Sequence, residues 1–336
     1  MTDAPTGLAA YGWDDDRARA FADIVDEFEP GTVRPGRVVR HDGIAVMVAT
    51  EAGTSQLPMR GGVPPLAVGD WVVVTSDAVA AQLPRRNAVR RRDVDKDTEQ
   101  VLAADVDLVV AVCGLDRPVR QGRIHRTSLL AADAGTEFAV VLTKADLAED
   151  ADAIADRVRG DNPGADVVVC AVGDGGEWSG LAEVASRLAG RTTVMVGESG
   201  AGKSTLTNAL LGHEAAATGA VRATDAKGRH TTTSREIHVL PGGGVLVDSP
   251  GIRSVGVFAD EAALAEAFDD IDAVAADCRF RDCTHRVEPG CAVMAAVEDG
   301  TLDRGRVEAW RAFGDDEQAA TRRRGRRDYG EGTRPT

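Results

Sequence analysis

Between Gly31 and about Val94 the hydrophobic positions come in short alternating or apolar runs, at Gly36–Val39, Ile44–Ala49 and Trp71–Thr75, broken by Gly, Pro and Asp. That pattern predicts a small antiparallel β-barrel or sandwich. After Asp95 the rhythm changes. Strand-length apolar runs at Val106–Cys113, Phe138–Leu142, Val167–Cys170 and Thr193–Val196 alternate with amphipathic stretches at 121–134, 147–160 and 180–189. Such alternation predicts βαβ units and a mostly parallel sheet covered by helices on both faces. Two more strands, Arg235–Leu240 and Val245–Asp248, flank Gly242-Gly243-Gly244 and predict a hairpin. In the acidic leading segment Phe21, Ile24, Val25 and Phe28 fall at helical spacing. Beyond Asp260 the pattern is helical, then cysteine-rich, then helical again, and it ends in an arginine-rich tail.

Composition changes this picture little. The 336 residues suffice for two or three domains, and aromatics at 4% make the core aliphatic. No basic flank and apolar run marks a signal peptide, and no stretch reaches the ~18 apolar residues of a membrane span. Five cysteines, three of them between Cys278 and Cys291, argue for a reducing compartment rather than a disulfide scaffold. A cytoplasmic protein is expected, without a membrane partner and monomeric. The net charge of −15 conceals two basic clusters: Arg85, Arg86, Arg90, Arg91 and Arg92, and Arg322, Arg323, Arg324, Arg326 and Arg327. Either alone can be a solvated face; together they suggest phosphate contacts.

The sharpest chemical signal is Gly197-Glu198-Ser199-Gly200-Ala201-Gly202-Lys203-Ser204, a complete G-x-x-x-x-G-K-S/T loop between an apolar strand and a helix that begins Ser204-Thr205. Its glycines let successive N–H groups turn toward phosphate oxygens at a helix N-terminus. Lys203 is expected at the β- and γ-phosphates and Ser204 on Mg²⁺. Asp248-Ser249-Pro250-Gly251, at the end of a later apolar strand, is expected to supply a Mg²⁺ carboxylate in Asp248 and a γ-phosphate N–H in Gly251.

Thr143-Lys144-Ala145-Asp146 follows another strand and resembles the N-K-x-D motif by which GTPases read guanine. There the Asp accepts from guanine N1 and N2, and the Lys stem covers the ring. Thr143 stands where most GTPases have Asn. Cys170-Ala171 is placed like the small-residue loop that touches guanine O6. The order is informative: the base-reading motif precedes the phosphate loop, so the sheet is expected to be circularly permuted. Near its end the chain carries Cys278, Cys283, His285 and Cys291, three thiolates and an imidazole that suit a closed structural zinc site.

With the permuted order, the cysteine module and Gly228-Arg229-His230-Thr231-Thr232-Thr233, the chain resembles the ribosome small-subunit-dependent GTPase A family from about Gly31 to Gly314. The resemblance implies GTP hydrolysis to GDP and phosphate late in maturation of the small ribosomal subunit, with that subunit and its rRNA as partners. It agrees with the spacing of the four zinc ligands. It also implies that His230 positions the attacking water, because Ile252 stands where many GTPases carry Gln. One of Thr231, Thr232 and Thr233 is expected on Mg²⁺. The expected architecture is an N-terminal extension (1–30), an OB-like, RNA-binding β-barrel (31–95), a circularly permuted P-loop GTPase domain of the α/β class (96–258) and a zinc-binding helical module with a basic tail (259–336). Two readings compete with this one: a GTP-dependent RNA-binding assembly factor whose hydrolysis is incidental, and an ATPase, suggested by Thr143.

Overall fold

The computed structural model describes residues 6–41, 45–93, 98–213, 236–248, 268, 270–280, 283–308 and 310–311, without the side chains at 91–93, 98–99 and 248. His230, Thr231, Thr232, Thr233, Gly251 and the arginine-rich tail lie outside these residues.

Strands β1 (Arg34–His41), β2 (Ala45–Thr50) and β3 (Gly53–Pro58) form an antiparallel meander, and β4 (Trp71–Val74) and β5 (Val79–Gln82) add to the other edge of β1. A parallel bridge between Met59 and Val79 joins the two free edges. The five strands thereby close into an OB-like barrel with no open edge at that point. Inside are Val38, Val46, Val48, Leu57, Val72 and Val74. All four residues of β4 are buried, although alternate ones face outward. The outward pair, Trp71 and Val73, is covered by the leading segment, a 3₁₀ turn at Gly7–Tyr11 followed by α1 (Asp15–Val25). Trp13 meets Trp71 edge-on at 5.0 Å, and Phe21, Ile24 and Phe28 complete the cluster. A hairpin of β6 (Ala88–Asp93) and β7 (Thr98–Ala104) then leads out of the barrel. Because its register runs from Ala88↔Ala104 to Asp93↔Thr98, the division expected at residue 95 falls inside a paired unit.

The α/β part follows as β8 (Leu108–Gly114), α2 (Gln121–Asp133), β9 (Glu137–Thr143), α3 (Ala151–Asp161), β10 (Asp166–Val169), a small hairpin of β11 (Ala171–Val172) and β12 (Trp178–Ser179), α4 (Leu181–Leu188), β13 (Thr192–Val196), α5 (Lys203–Leu211), β14 (Glu236–Val239) and β15 (Val245–Asp248). The sheet order is β10-β9-β8-β13-β15-β14, parallel except for β14. Alternate residues pack opposite faces, as period-2 geometry requires. Val109, Val194 and Val247 meet Leu130 and Ala131 of α2. Leu108, Val110, Val112 and Met195 meet Val184 and Leu188 of α4 and Leu206 and Leu210 of α5.

The sheet does not stop at β14, which pairs with barrel strand β1 at Arg40↔Glu236. Next to this seam Arg37 is 1% exposed, and its guanidinium donates to the carbonyls of Gly69, Tyr11 and Asp105 and to Thr192 Oγ1. It also lies 5.0 Å from the Trp71 ring. Burial pulls its pKa down to about 10, so it stays charged at neutral pH. Asp105 takes Arg17 as its buried ion-pair partner and accepts from the Arg86 N–H at 2.8 Å. One hub thus ties the leading segment, the barrel and the start of β13 together.

The C-terminal module builds its core from Phe268, Ile271, Cys291, Val293, Leu302 and Val307, with α6 (Ala292–Glu298) at its centre. Leu129 of α2 belongs to the same core, so the module is seated on the α/β part.

Candidate nucleotide and metal sites

The parallel strands β8, β9, β10 and β13 deliver their C-terminal ends to one edge, where open α/β sheets bind ligands. From β13 the chain enters the loop Gly197–Gly202 and then α5. Gly197 passes so close to β8 that a methyl group there would lie 2.3 Å from the Val112 carbonyl. Gly202 has φ +90°, and a methyl on it would stand 2.9 Å from Thr143 Oγ1. Glycine is therefore required at both positions, in the second for its backbone as well. Lys203 Nζ donates to the carbonyls of Gly197 (2.6 Å) and Glu198 (2.8 Å), the position from which phosphate oxygens can compete for it. Glu198 is held by Arg123 at 2.6 Å. Ser204 and Thr205 open α5 beside Lys203.

At the end of β9, Thr143 is 2% exposed, and its hydroxyl donates to the Ala201 carbonyl at 2.6 Å. The residue in the unusual position thus ties the base-reading loop to the phosphate loop. Lys144 has φ +58°, a left-handed conformation uncommon outside glycine. Asp146 accepts from the Val172 N–H at 3.1 Å, and the Ala145 N–H donates to Cys170 O at 3.1 Å. The segments 143–146, 170–172 and 197–204 are therefore adjacent, as the motif order requires. Cys170 is buried, which pushes its thiol up to about 11 and leaves it inert. Asp248 ends β15, two strands from β8.

Sequence reasoning missed Asp116 and Arg117, just beyond β8. Asp116 accepts from Lys144 Nζ and from Arg117 Nη2, each at 2.9 Å. Arg117 and then Lys144 hold its carboxyl well below the usual range. The signal was available: a charged pair directly after a buried parallel strand sits at the ligand-binding edge. Beside the phosphate loop, Arg117, Arg120, Arg123 and Arg126 line a cavity of about 210 Å³ that none of Lys144, Asp146 or Lys203 touches.

The first basic cluster needs correction. Arg85 makes a two-pronged pair with the fully buried Asp70 (2.6 and 2.7 Å), and Arg86 is shared among Asp14, Asp105 and Asp107. Both are paired with carboxylates of the chain itself, although Arg86, like Arg90, keeps an exposed side chain.

In the C-terminal module the ligand atoms of Cys278, Cys283, His285 and Cys291 lie within 4.8 Å of one another. Cys278 Sγ is 3.9 Å from Cys291 Sγ and 3.4 Å from His285 Nδ1, and Cys291 Sγ is 3.6 Å from the same nitrogen. A tetrahedral ion with metal–sulfur bonds of about 2.3 Å and metal–nitrogen bonds of about 2.0 Å requires edges of roughly 3.5–3.8 Å. The cluster can hold a metal ion. Glu288 shapes the ligand loop by accepting from the N–H groups of Thr284, Arg286 and Val287. His285 packs against Trp310 at 4.8 Å.

The fold and the loop order define a circularly permuted GTPase. Two solved structures share the architecture: YjeQ from Thermotoga maritima (TM-score 0.59, 26% identity, 84% of this chain and 98% of that one) and YloQ, described as a circularly permuted GTPase (TM-score 0.57, 25% identity, 88% and 98%). The family model for the RsgA GTPase matches residues 82–258, and the chain belongs to that family. The small ribosomal subunit biogenesis GTPase RsgA of Streptomyces coelicolor is 42% identical over 316 residues, 91% of this chain and 85% of the relative. RsgA 2 of Vibrio parahaemolyticus is 42% identical over 270 residues, 80% and 75% of the two chains.

Proposed function

We propose that this chain hydrolyses GTP to GDP and phosphate as a late maturation factor of the small ribosomal subunit. The observation that carries the reading is the convergence of 143–146, 170–172 and 197–204 at one sheet edge, in a chain whose relatives are named for small-subunit biogenesis. In this reading Asp146 accepts from guanine, Lys144 covers the base, and Cys170-Ala171 borders O6. The loop Gly197–Ser204 with Thr205 wraps the phosphates, and Lys203 leaves its two carbonyls for phosphate oxygens. Mg²⁺, bound with GTP, neutralises developing charge on the phosphates; Ser204 and Asp248 would hold it. His230 would position the water, and Thr231, Thr232 or Thr233 and Gly251 would close over the γ-phosphate. Catalysis of this kind is positioning and electrostatics, so turnover by the free protein is slow.

The metal of the Cys₃His cluster is zinc in this reading, because three thiolates and one imidazole in a closed tetrahedral set suit it. Zinc there is structural, with every position filled by protein. The closed barrel, with the β6–β7 hairpin that carries Arg90, is the element we assign to rRNA. A cytoplasmic location and a monomer accompany this role; among the described residues no helix is long and apolar enough to cross a membrane.

The test is GTP turnover with and without purified small ribosomal subunits across a salt series. Stimulation that weakens as salt rises is expected. A rate indifferent to the subunit would remove the ribosomal assignment. Replacing Asp146 by Asn is expected to shift preference from guanine toward xanthine nucleotides. An unchanged preference would show that guanine is not read there.

A further inference from the structure

Three segments that are distant in sequence meet at Gly114, the last residue of β8. A methyl built on Gly114 would lie 2.7 Å from Asp116 Oδ1, 3.5 Å from Lys144 Cδ and 3.5 Å from Ala201 Cα. The turn after β8 is therefore wedged between the base-reading loop and the phosphate loop. Its Arg117 is aimed along that wedge. Nη2 bonds Asp116 at 2.9 Å, and it stands 3.4 Å from where a side chain on Gly200 would begin. Arg120 and Arg123 reach the same loop through the Glu198 carboxylate. With 44% of its side chain exposed, Arg117 is anchored by one carboxylate but not enclosed.

From this geometry we propose that Arg117 is a nucleotide-contacting residue, a second cation for the diphosphate besides Lys203, with Asp116 as the positioning residue that aims it. The proposal rests on the reading of 197–204 as the phosphate loop. Asp116 is shared between Arg117 and Lys144, so each cation is only partly neutralised. A diphosphate offers more charge and more acceptor oxygens than one shared carboxylate, and the planar guanidinium suits it. Asp116 thus stores Arg117 next to the phosphate loop and links it to the lysine that covers the base. Binding of the base and of the phosphates then draws on one ion-paired cluster.

The test uses the full chain with Mg²⁺, and compares dissociation constants for GDP, IDP and ADP by calorimetry at low and high salt. Inosine lacks the 2-amino group from which Asp146 accepts, so the GDP:IDP ratio reports base reading and not phosphate contact. Arg117→Gln is expected to weaken GDP and IDP alike by about ten-fold, leave their ratio unchanged and flatten the salt dependence. Arg117→Lys is expected to recover part of the loss, and Arg19→Gln, an exposed arginine of the leading helix α1, to change nothing. Unfolding midpoints of all variants should coincide, since Arg117 makes only exposed contacts. If Arg117→Gln binds GDP within two-fold of the parent, or changes the GDP:IDP ratio as much as the affinity, the proposal is overturned alone. If the parent binds ADP as tightly as GDP, or binds neither, the guanine-site reading falls and takes the proposal with it.

Discussion

Removing the Thr143 hydroxyl tests how much the site depends on the tie between its two loops. Valine keeps the shape of threonine, so Thr143→Val opens no cavity, and two costs remain. The Ala201 carbonyl loses a buried donor now at 2.6 Å, worth about 1–3 kcal/mol. A methyl must also replace an oxygen whose neighbourhood already admits nothing larger, since even a methyl on Gly202 would stand 2.9 Å from it. Carbon cannot approach a carbonyl oxygen as closely as a donating hydroxyl does, so the phosphate loop must shift outward. The two effects add to roughly 2–3 kcal/mol, which is about 30- to 150-fold in GDP affinity if the whole cost falls on the binding-competent loop. Calorimetric GDP titration and thermal unfolding of Thr143→Val and Thr143→Ser give the measurement. Serine restores the hydroxyl and should bind GDP within a few-fold of the parent. Equal affinities for the valine and serine variants would refute the tether.

Three further outcomes are expected. Cys291→Ser should abolish bound metal, measured by elemental analysis, and destabilise the C-terminal module, because Cys291 also accepts from Met294 N–H at the start of α6; stoichiometric metal in that variant would break the four-ligand assignment. Arg37→Met should lower stability in urea by about 3–5 kcal/mol, since three carbonyls and Thr192 lose a buried charged donor; a change under 1 kcal/mol would mean the hub carries little. His125 is buried, with Nε2 3.3 Å from Asp161 O, and burial lowers its pKa. Its folded form therefore takes up a proton less readily than the unfolded chain, so its contribution is present above about pH 6.5 and lost as pH falls below that. His125→Gln should flatten the loss of stability between pH 7 and 5, and an identical acid profile would refute this.

Periodicity carried much of the fold. The runs ending at Cys113, Leu142 and Val196 became β8, β9 and β13, because strands covered on both faces read as continuous apolar segments. The hairpin about Gly242–Gly244 was legible from its turn. Less regular elements were not. Strand β3, Gly53–Pro58, has mostly exposed residues and no alternation to detect, and β5 is held by pairing with β4. At the site, contiguous motifs announced themselves, whereas features that exist only through tertiary contact did not. Thr143 read as a weakened Asn until Ala201 proved to be its partner. Arg85 and Arg86 read as free charge because Asp70 and Asp105 are far off or featureless in sequence. Nothing local to Arg37 reveals its burial, because its partners Tyr11, Gly69, Asp105 and Thr192 are scattered widely along the chain.

The permuted order also sets a timetable for synthesis. Strands β8, β9 and β10 are made first and can pair among themselves, but the far side of β8 must wait for Thr192–Val196. Until then the nascent chain carries an unpaired apolar edge, the kind of surface that invites misassociation. The same late strand brings Thr192, which the buried Arg37 needs. Covering of β8, arrival of the Thr192 hydroxyl at Arg37 and arrival of the phosphate loop are therefore one event in the life of the chain, whereas the seam with the barrel waits for β14 and β15.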